Sequence, residues 1–294
     1  MQRTNFAQFL LGHSPAAQEG ANPCLQLCHL EGLDQIIIRP GIQSFDSILR
    51  FRAGGQQDHG PRIAAVIQTP GRQVSYEGVA RIDGVPGTSA PIAVQFMETV
   101  GGVTGAFLPT GNRVDEIDGI AVTCMDVAMP MVIAKAESFG LTGYETAVEL
   151  DENRAFFDQM ESLRQKAGAL MGMGDVTKSV TLKFGLLAPA KAGGTIATRY
   201  FMPWSTHPSM AVTGAQCLAS CILTPGTIAE GMAAKSNETL ANVILEHASG
   251  KIEVAVDYAD TATGFEIKSA GLIRTARKIA AGEVFIPRSI WAGH

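Results

Sequence analysis

Apolar and polar residues alternate with a period of two along much of this chain. Glycines and prolines separate the alternating segments, a pattern that is typical of β-strands burying one face. The predicted strands are residues 62–69, 73–81, 92–100, 119–126, 130–137, 195–203 and 251–259. The pattern therefore predicts a protein in which β-structure dominates.

Two segments have helical spacing instead. Residues 152–172 place apolar side chains on one face and end at Gly172, which predicts an amphipathic surface helix. Residues 209–223 are apolar on every face, and a helix of that kind belongs inside a core. Because strands are the abundant element, we expect them to wrap around this second helix.

Polar side chains cluster where the apolar helix begins. A helix start leaves backbone N–H groups unpaired and carries a partial positive charge, so Ser209 or Thr213 could cap it. Alternatively, the helix opens on a cleft, where Gly214 and Ala215 let a ligand approach the backbone. His207, Ser209 and Thr213 would then donate hydrogen bonds to a carboxylate.

A second candidate for anion binding is the sequence LPTGN at residues 108–112. Gly111 predicts a tight turn with free N–H groups, and Thr110 and Asn112 add side-chain donors beside it. Pro-Thr-Gly-Asn is also the composition of an ordinary turn. Two such features in one chain favour a small ligand with more than one carboxylate.

Composition narrows the class of protein. The 294 residues, 46% hydrophobic, exceed a single core of about 100–150 residues, so we expect two domains. A net charge of −5 with scattered lysines and arginines argues against nucleic acid or an anionic membrane as a partner. No apolar run approaches the roughly 18 residues of a membrane span. The five cysteines suit neither a disulfide framework nor a metal site. We expect a cytoplasmic protein with reduced thiols.

Several stretches, in order along the chain, resemble a single family. They are VIQTPGRQVSYEGVARIDGVPGTSAPI, GAFLPTGNRVDEIDGI, DVAMPMVIAKAESFGLTGYE, LMGMGDVTKSV, HPSMAVTGAQCLAS, HASGKIEV and IRTARKI. From about Arg62 to Ile286 the chain thereby resembles the isomerases that include 4-oxalomesaconate tautomerase, methylaconitate isomerase and methylitaconate isomerase. The spellings IDGVPGT, LPTGN and D-x-x-MP are most similar to the oxalomesaconate tautomerase branch.

The resemblance implies an α+β fold like that of diaminopimelate epimerase. Such a fold has two similar domains, each a curved, mostly antiparallel sheet wrapped around a central apolar helix, with the active site in the cleft between them. The implied first domain is residues 1–115, joined by 280–294, and the second is residues 116–279. This agrees with the wrapped helix expected from the sequence pattern.

The resemblance also implies a reaction. The expected activity is cofactor-free, metal-free proton transfer that moves a double bond on an unsaturated tricarboxylate, as in the keto–enol tautomerisation of 4-oxalomesaconate during gallate or protocatechuate degradation. One alternative is an allylic isomerase that acts on an aconitate or methylaconitate type of substrate. Another is a non-catalytic remnant that binds a tricarboxylate without turnover.

The family's substrate-binding positions can be carried over where the motifs match. Met129, with Pro130, shapes the chain as well as matching a family position, and Arg277 fits a structural ion pair equally well. His207 is the best single candidate for a polar contact with substrate, and a capping histidine is the alternative. The substrate-binding residues implied by the resemblance are Thr110, Gly111, Asn112, Met129, His207, Ser209, Thr213, Gly214, Ala215 and Arg277.

The chain departs from the family pattern near its beginning. The family's expected base is a lysine in an N-terminal Ser-Lys, but no lysine precedes Lys135 here, so we expect an N-terminally truncated first domain. Cys24 matches the family's thiol and is the candidate catalytic residue, although Leu25 and Gln26 replace the family's Gly-Asn. A simple buried cysteine is the alternative, because catalysis would need a lowered thiol pKa. Strands left without partners would favour a homodimer.

Overall fold

The computed structural model describes residues 3–5, 28–30, 33–39, 46–53, 62–233, 240–261, 264–279 and 283–285. Cys24 lies outside these residues, so its role stays a prediction. The strands are β1 Arg3–Asn5, β2 Cys28–Leu30, β3 Leu33–Arg39, β4 Asp46–Ala53, β5 Arg62–Gln68, β6 Pro91–Met97, β7 Asp115–Ile117, β8 Ile120–Val127, β9 Met129–Lys135, β10 Lys183–Ala188, β11 Ile196–Met202, β12 Ser205–Thr206, β13 Leu240–His247, β14 Gly250–Thr261, β15 Gly264–Thr275 and β16 Glu283–Phe285. The α-helices are α1 Ala147–Glu152, α2 Arg154–Leu170 and α3 Val212–Leu223.

The chain divides into two compact units. The first comprises Met1–Arg81, Gly87–Val94 and Ile273–His294, and the second comprises Ile82–Pro86 and Gln95–Leu272. The predicted domains, 1–115 with 280–294 and 116–279, stay a prediction.

In the first unit, β2, β3, β4, β5 and β6 follow one another in the sheet in chain order, and β1 pairs with β16. The strand predicted at residues 73–81 is wrong. Only Ala80 of that segment makes a β-bridge, with Ser89. Gly78 packs so closely on the backbone of Ala90 that a Cβ would lie 2.6 Å from its Cα. In the described part of the chain, this alternating segment therefore forms a single bridge and no ladder.

The second unit contains a mixed sheet with the strand order β15-β14-β13-β11-β10-β9-β8-β7, and β12 pairs with β11. Neighbouring strands are antiparallel except for two parallel pairs, β9 with β10 and β11 with β13. Each parallel pair is joined by a crossover that contains helix, as parallel strands require: α1 and α2 in one, and α3 in the other. The fold class is therefore mixed α+β and rich in sheet.

Helix α3 lies inside the second unit, as its apolar composition predicts. It contacts β8, β9, β13 and β14, and every residue from Gly214 to Leu223 is buried. Its core includes Met125, Leu218 and Val254. The expectation that strands wrap around this helix is confirmed.

Helix α2 packs on the opposite face of the sheet, where it contacts β7 and β10. Phe156, Met160 and Leu163 pack with Phe184 and Phe201 of the sheet. Asn153 caps the helix by accepting a hydrogen bond of 3.1 Å from the N–H of Phe156, and Gly172 follows the helix with a φ of +73°. The prediction of an amphipathic helix ended by Gly172 is confirmed. No helix in the described part of the chain is long and apolar enough to cross a membrane.

Candidate functional site

The start of α3 differs from the prediction in its capping. The helix begins at Val212, and Ala211 is its N-cap, with no side-chain hydrogen bond. Ser209 lies before the helix, where its N–H donates to Nδ1 of His207 over 3.0 Å. Thr213 lies inside the helix and donates to Sδ of Met129 over 3.4 Å. Neither Ser209 nor Thr213 therefore acts as the predicted cap.

An uncapped start leaves donors available. The N–H groups of Val212, Thr213 and Gly214 come too early in the helix to bond to a carbonyl within it. Val212 and Thr213 are partly exposed, so a ligand can reach this end. The N-terminus of a helix also carries a partial positive charge. The start of α3 is therefore a suitable place for a carboxylate.

Three side chains fix the geometry beside these donors. The hydroxyl of Tyr200 donates to Sδ of Met129 over 3.2 Å, the same sulfur that Thr213 contacts. Tyr200 is 1% exposed, and burial raises its pKa, so the phenol stays protonated. Met129 is the first residue of β9, and the structure thus brings this predicted site residue to the helix start.

The role expected of Gly214 and Ala215 needs a correction. A Cβ at position 214 would lie 2.5 Å from Cε2 of Tyr200, so this glycine makes room for the tyrosine ring and not for a ligand. Ala215 is fully buried in the core. A contact between substrate and the N–H of Gly214 stays a prediction.

His207 lies at the edge of the same group. The backbone N–H of His207 donates to the carbonyl of Tyr200 over 2.8 Å. The rings of the two residues meet edge to face with centroids 5.8 Å apart. Burial lowers the pKa of His207, so the ring is neutral near pH 7. Because Nδ1 accepts from Ser209, the proton of the neutral ring is on Nε2. Nε2–H is therefore a donor.

His247 is a second histidine near the site, and sequence reasoning missed it. Ser249, in the turn between β13 and β14, donates to the carbonyl of Pro208 over 2.8 Å and lies 3.4 Å from Nδ1 of His247. This turn is thereby held against the segment that leads into α3. Burial lowers the pKa of His247, and Asp83 opposes that shift. The family motif HASGKIEV begins at His247, but no local sequence pattern connects that residue with His207.

The turn at residues 108–112 has its side-chain donors occupied. Thr110 donates to Oδ2 of Asp115, and Asn112 donates to Oδ1, each over 2.7 Å. Gly111 has a φ of +78°, as a tight turn requires. The chain's own carboxylate therefore sits where a ligand carboxylate was expected.

This turn also lies far from the start of α3. Arg113 donates to the carbonyl of Pro225, just beyond the C-terminal end of α3, and its own carbonyl accepts from Thr123 over 2.7 Å. The 12 residues of α3 span about 18 Å. Within this unit the two features are associated with opposite ends of α3, and the expectation that both hold one small ligand stays a prediction.

Arg277 belongs to the first unit. Its Nε donates to Oγ of Ser89 over 3.2 Å, and Nη2 would lie 3.0 Å from a Cβ at Gly87. The structural ion pair given as the alternative for Arg277 stays a prediction. Its role in substrate binding stays a prediction.

Comparison with known proteins identifies the class to which this fold and site belong. The family of the PrpF protein matches residues 49–287, and the chain belongs to this family. The (4E)-oxalomesaconate Delta-isomerase of Novosphingobium sp. (strain KA1) is 39% identical over 230 residues, which cover 78% of the chain. The 4-oxalomesaconate tautomerase of Pseudomonas putida (strain KT2440) is 38% identical over 239 residues, or 81% of the chain. The chain spans 64% of the length of each of these relatives.

A solved structure is also similar. The crystal structure of methylitaconate-delta-isomerase superposes with a TM-score of 0.72 at 26% sequence identity, covering 86% of this chain and 70% of that one. The two relatives and the solved structure are named as isomerases or tautomerases of oxalomesaconate and methylitaconate. The resemblance inferred from the sequence motifs is therefore confirmed at the level of the family.

Proposed function

We propose that this protein is a cofactor-independent isomerase that moves a proton and a double bond on an unsaturated tricarboxylate, most specifically a 4-oxalomesaconate tautomerase. The observation that carries the proposal is the uncapped start of α3, beside Nε2–H of His207, in a member of the PrpF family. We also propose that the two compact units correspond to the two similar domains of a diaminopimelate-epimerase-like fold.

The reaction requires three kinds of chemical group at the site. A base must remove a proton next to a carbonyl or a vinylogous carboxylate, donors must stabilise the enolate, and the carboxylates must be held still. The N–H groups of Val212 and Thr213 serve as donors to a carboxylate, and Nε2–H of His207 serves either a carboxylate or the enolate oxygen. Cys24 stays the candidate acid or base.

A second candidate is an allylic isomerase. It is favoured by one relative named as a Delta-isomerase, at 39% identity, and by the similar fold of methylitaconate-delta-isomerase. Both reactions begin with proton removal and use the same holding groups. In the keto–enol tautomerisation the proton returns to oxygen, whereas in the allylic isomerisation it returns to a distant carbon.

The test is deuterium uptake in deuterated water, followed by NMR with 4-oxalomesaconate and with aconitate. We expect uptake into 4-oxalomesaconate faster than in a sample without protein, and the product identifies keto–enol or allylic transfer. Binding without accelerated uptake of deuterium into either compound would indicate the non-catalytic alternative. Neither binding nor uptake would reject the proposal.

A further inference from the structure

Lys183 is a charged residue on the face of the sheet that packs on α3. Its partner in the parallel ladder is Met131, and Gly185 follows two residues later on the same face. A Cβ at Gly185 would lie 2.9 Å from Cδ2 of Leu218 in α3, which identifies that face. Since side chains alternate along a strand, Lys183 faces the side on which α3 lies.

The register places Lys183 level with the beginning of α3. Met131 comes two residues after Met129, whose sulfur contacts Thr213 at the helix start. On the other side of β10, Gly185 is paired with Tyr200, whose ring lies on Gly214. Lys183, two residues before Gly185, thus comes at the rim of the group formed by Met129, Tyr200 and Thr213.

The ammonium group of Lys183 has no hydrogen bond or ion pair with any other residue of the described ranges. By contrast, Lys166 lies 2.5 Å from Asp118, and the nearby Arg164 is bound by Glu161 over 2.7 Å. Lys183 is only partly exposed, and burial followed by the charge of Arg164 lowers its pKa. A half-buried cation without a carboxylate is costly unless a ligand supplies one.

Electrostatics independently connects Lys183 with the site. The charge of Lys183 helps to lower the pKa of His207, after burial as the main cause. Lys183, Nε2–H of His207 and the N–H groups at the start of α3 form one set of hydrogen-bond donors, in which Lys183 carries the positive charge.

We propose that Lys183 binds a carboxylate of the substrate at the start of α3, alongside His207. The inference rests on the proposed function, because it names a substrate-binding residue of that site. It makes Lys183 the residue that selects for the additional negative charge of a tricarboxylate. A charged hydrogen bond of this kind contributes roughly ten- to a hundredfold in affinity.

The test measures binding of tricarballylate, a stable tricarboxylate, to the full chain by calorimetry. Lys183→Met is expected to weaken binding at least tenfold, while Lys183→Arg retains most of it. Glutarate, which has one carboxylate fewer, should lose less affinity in the same variant. The matched control is Lys178→Met at an exposed position, which should bind like the wild type.

Two outcomes separate the hypotheses. Wild-type affinity in Lys183→Met overturns this inference and leaves the proposed function standing. If the wild-type chain binds neither tricarballylate nor 4-oxalomesaconate, the proposed function fails, and this inference fails with it. Thermal unfolding checks that each variant is folded, and Lys183→Gln replaces Lys183→Met if the latter is not.

Discussion

Two groups of clustered backbone donors in the second unit are satisfied in opposite ways. In the loop before β11, Glu246 accepts hydrogen bonds from the N–H groups of Lys191, Ala192 and Gly194 over 2.6–2.8 Å. At the start of α3, no side chain of the described residues caps the helix. The loop is closed by the protein's own carboxylate, whereas the helix start is open to a carboxylate from outside.

The comparison separates structural donors from donors available to a ligand. The loop is shaped around Glu246, since a Cβ at Gly194 would lie 2.6 Å from Cγ of that glutamate. The turn at Thr110 and Asn112 belongs to the same structural kind, because Asp115 occupies it. Sequence composition alone makes all three segments look alike.

The largest effect is expected from opening the closed loop with Glu246→Gln. The side chain is 7% exposed, and losing a charged acceptor for three N–H groups should lower the free energy of unfolding by about 3 kcal/mol. Chemical denaturation measures this. The control is Glu253→Gln, at an exposed position of β14, with an expected change within about 0.5 kcal/mol. Equal effects in both variants would contradict the structural role of Glu246.

The same glutamate gives stability a pH dependence. Burial alone would raise the pKa of Glu246, but the hydrogen bonds from Lys191, Gly194 and Ala192 outweigh it, and the pKa is lowered from 4.5. The stabilisation is therefore fully present above about pH 4.5 and is lost as the pH falls through the lower pKa of the folded state. Glu246→Gln should reduce this acid-dependent loss, as measured by denaturation at several pH values.

The next largest effect tests why residue 214 is glycine. Gly214→Ala should lower the free energy of unfolding by about 2 kcal/mol, because the new methyl group overlaps the ring of Tyr200. Combining it with Tyr200→Leu should recover much of that loss. If the glycine served ligand approach alone, alanine would stabilise the helix by about 1 kcal/mol instead. A gain in stability would therefore reject the packing role.

A smaller effect is expected when a carboxylate of the chain itself is placed at the start of α3. Ala211 is the N-cap and has the extended backbone that capping residues adopt, with a φ of −72° and a ψ of 144°. Ala211→Asp should raise the free energy of unfolding by about 1 kcal/mol and weaken tricarboxylate binding. Ala211→Ser, an uncharged cap, serves as the control and should weaken binding less. Unchanged binding in Ala211→Asp would show that the helix start is not used.

The smallest effect concerns the charge of His207. Because burial lowers its pKa below 6.5, the unfolded chain takes up this proton first as the pH falls. The contribution of His207 to stability is therefore retained above about pH 6.5 and declines below it. An NMR titration, with His207→Gln to assign the resonance, should give a midpoint below 6.5 that rises when a tricarboxylate binds. A midpoint above 6.5 in the free protein would contradict this arrangement.

Local pattern was sufficient for the two long helices. An all-apolar segment at 209–223 could only be buried, and the one-sided segment ending at Gly172 could only lie on a face. The failures concern partners that are distant in sequence. Glu246 lies 55 residues from Lys191, and no local signal shows that it fills that loop.

The candidate site was predicted in the same uneven way. His207, Thr213 and Met129 do come together, because motif and helix start coincide there. The contact of Tyr200 with Gly214 depends on the register of β11 against α3, which no local sequence pattern specifies. Lys183 did leave a signal, since it is a charged residue in the otherwise apolar strand KFGLLA.

The most direct test is an amide NMR titration of the protein with tricarballylate. We predict shifts at the N–H groups of Val212, Thr213 and Gly214, with those of Lys191, Ala192 and Gly194 unmoved. Shifts in the loop that Glu246 fills, with none at the start of α3, would contradict this prediction.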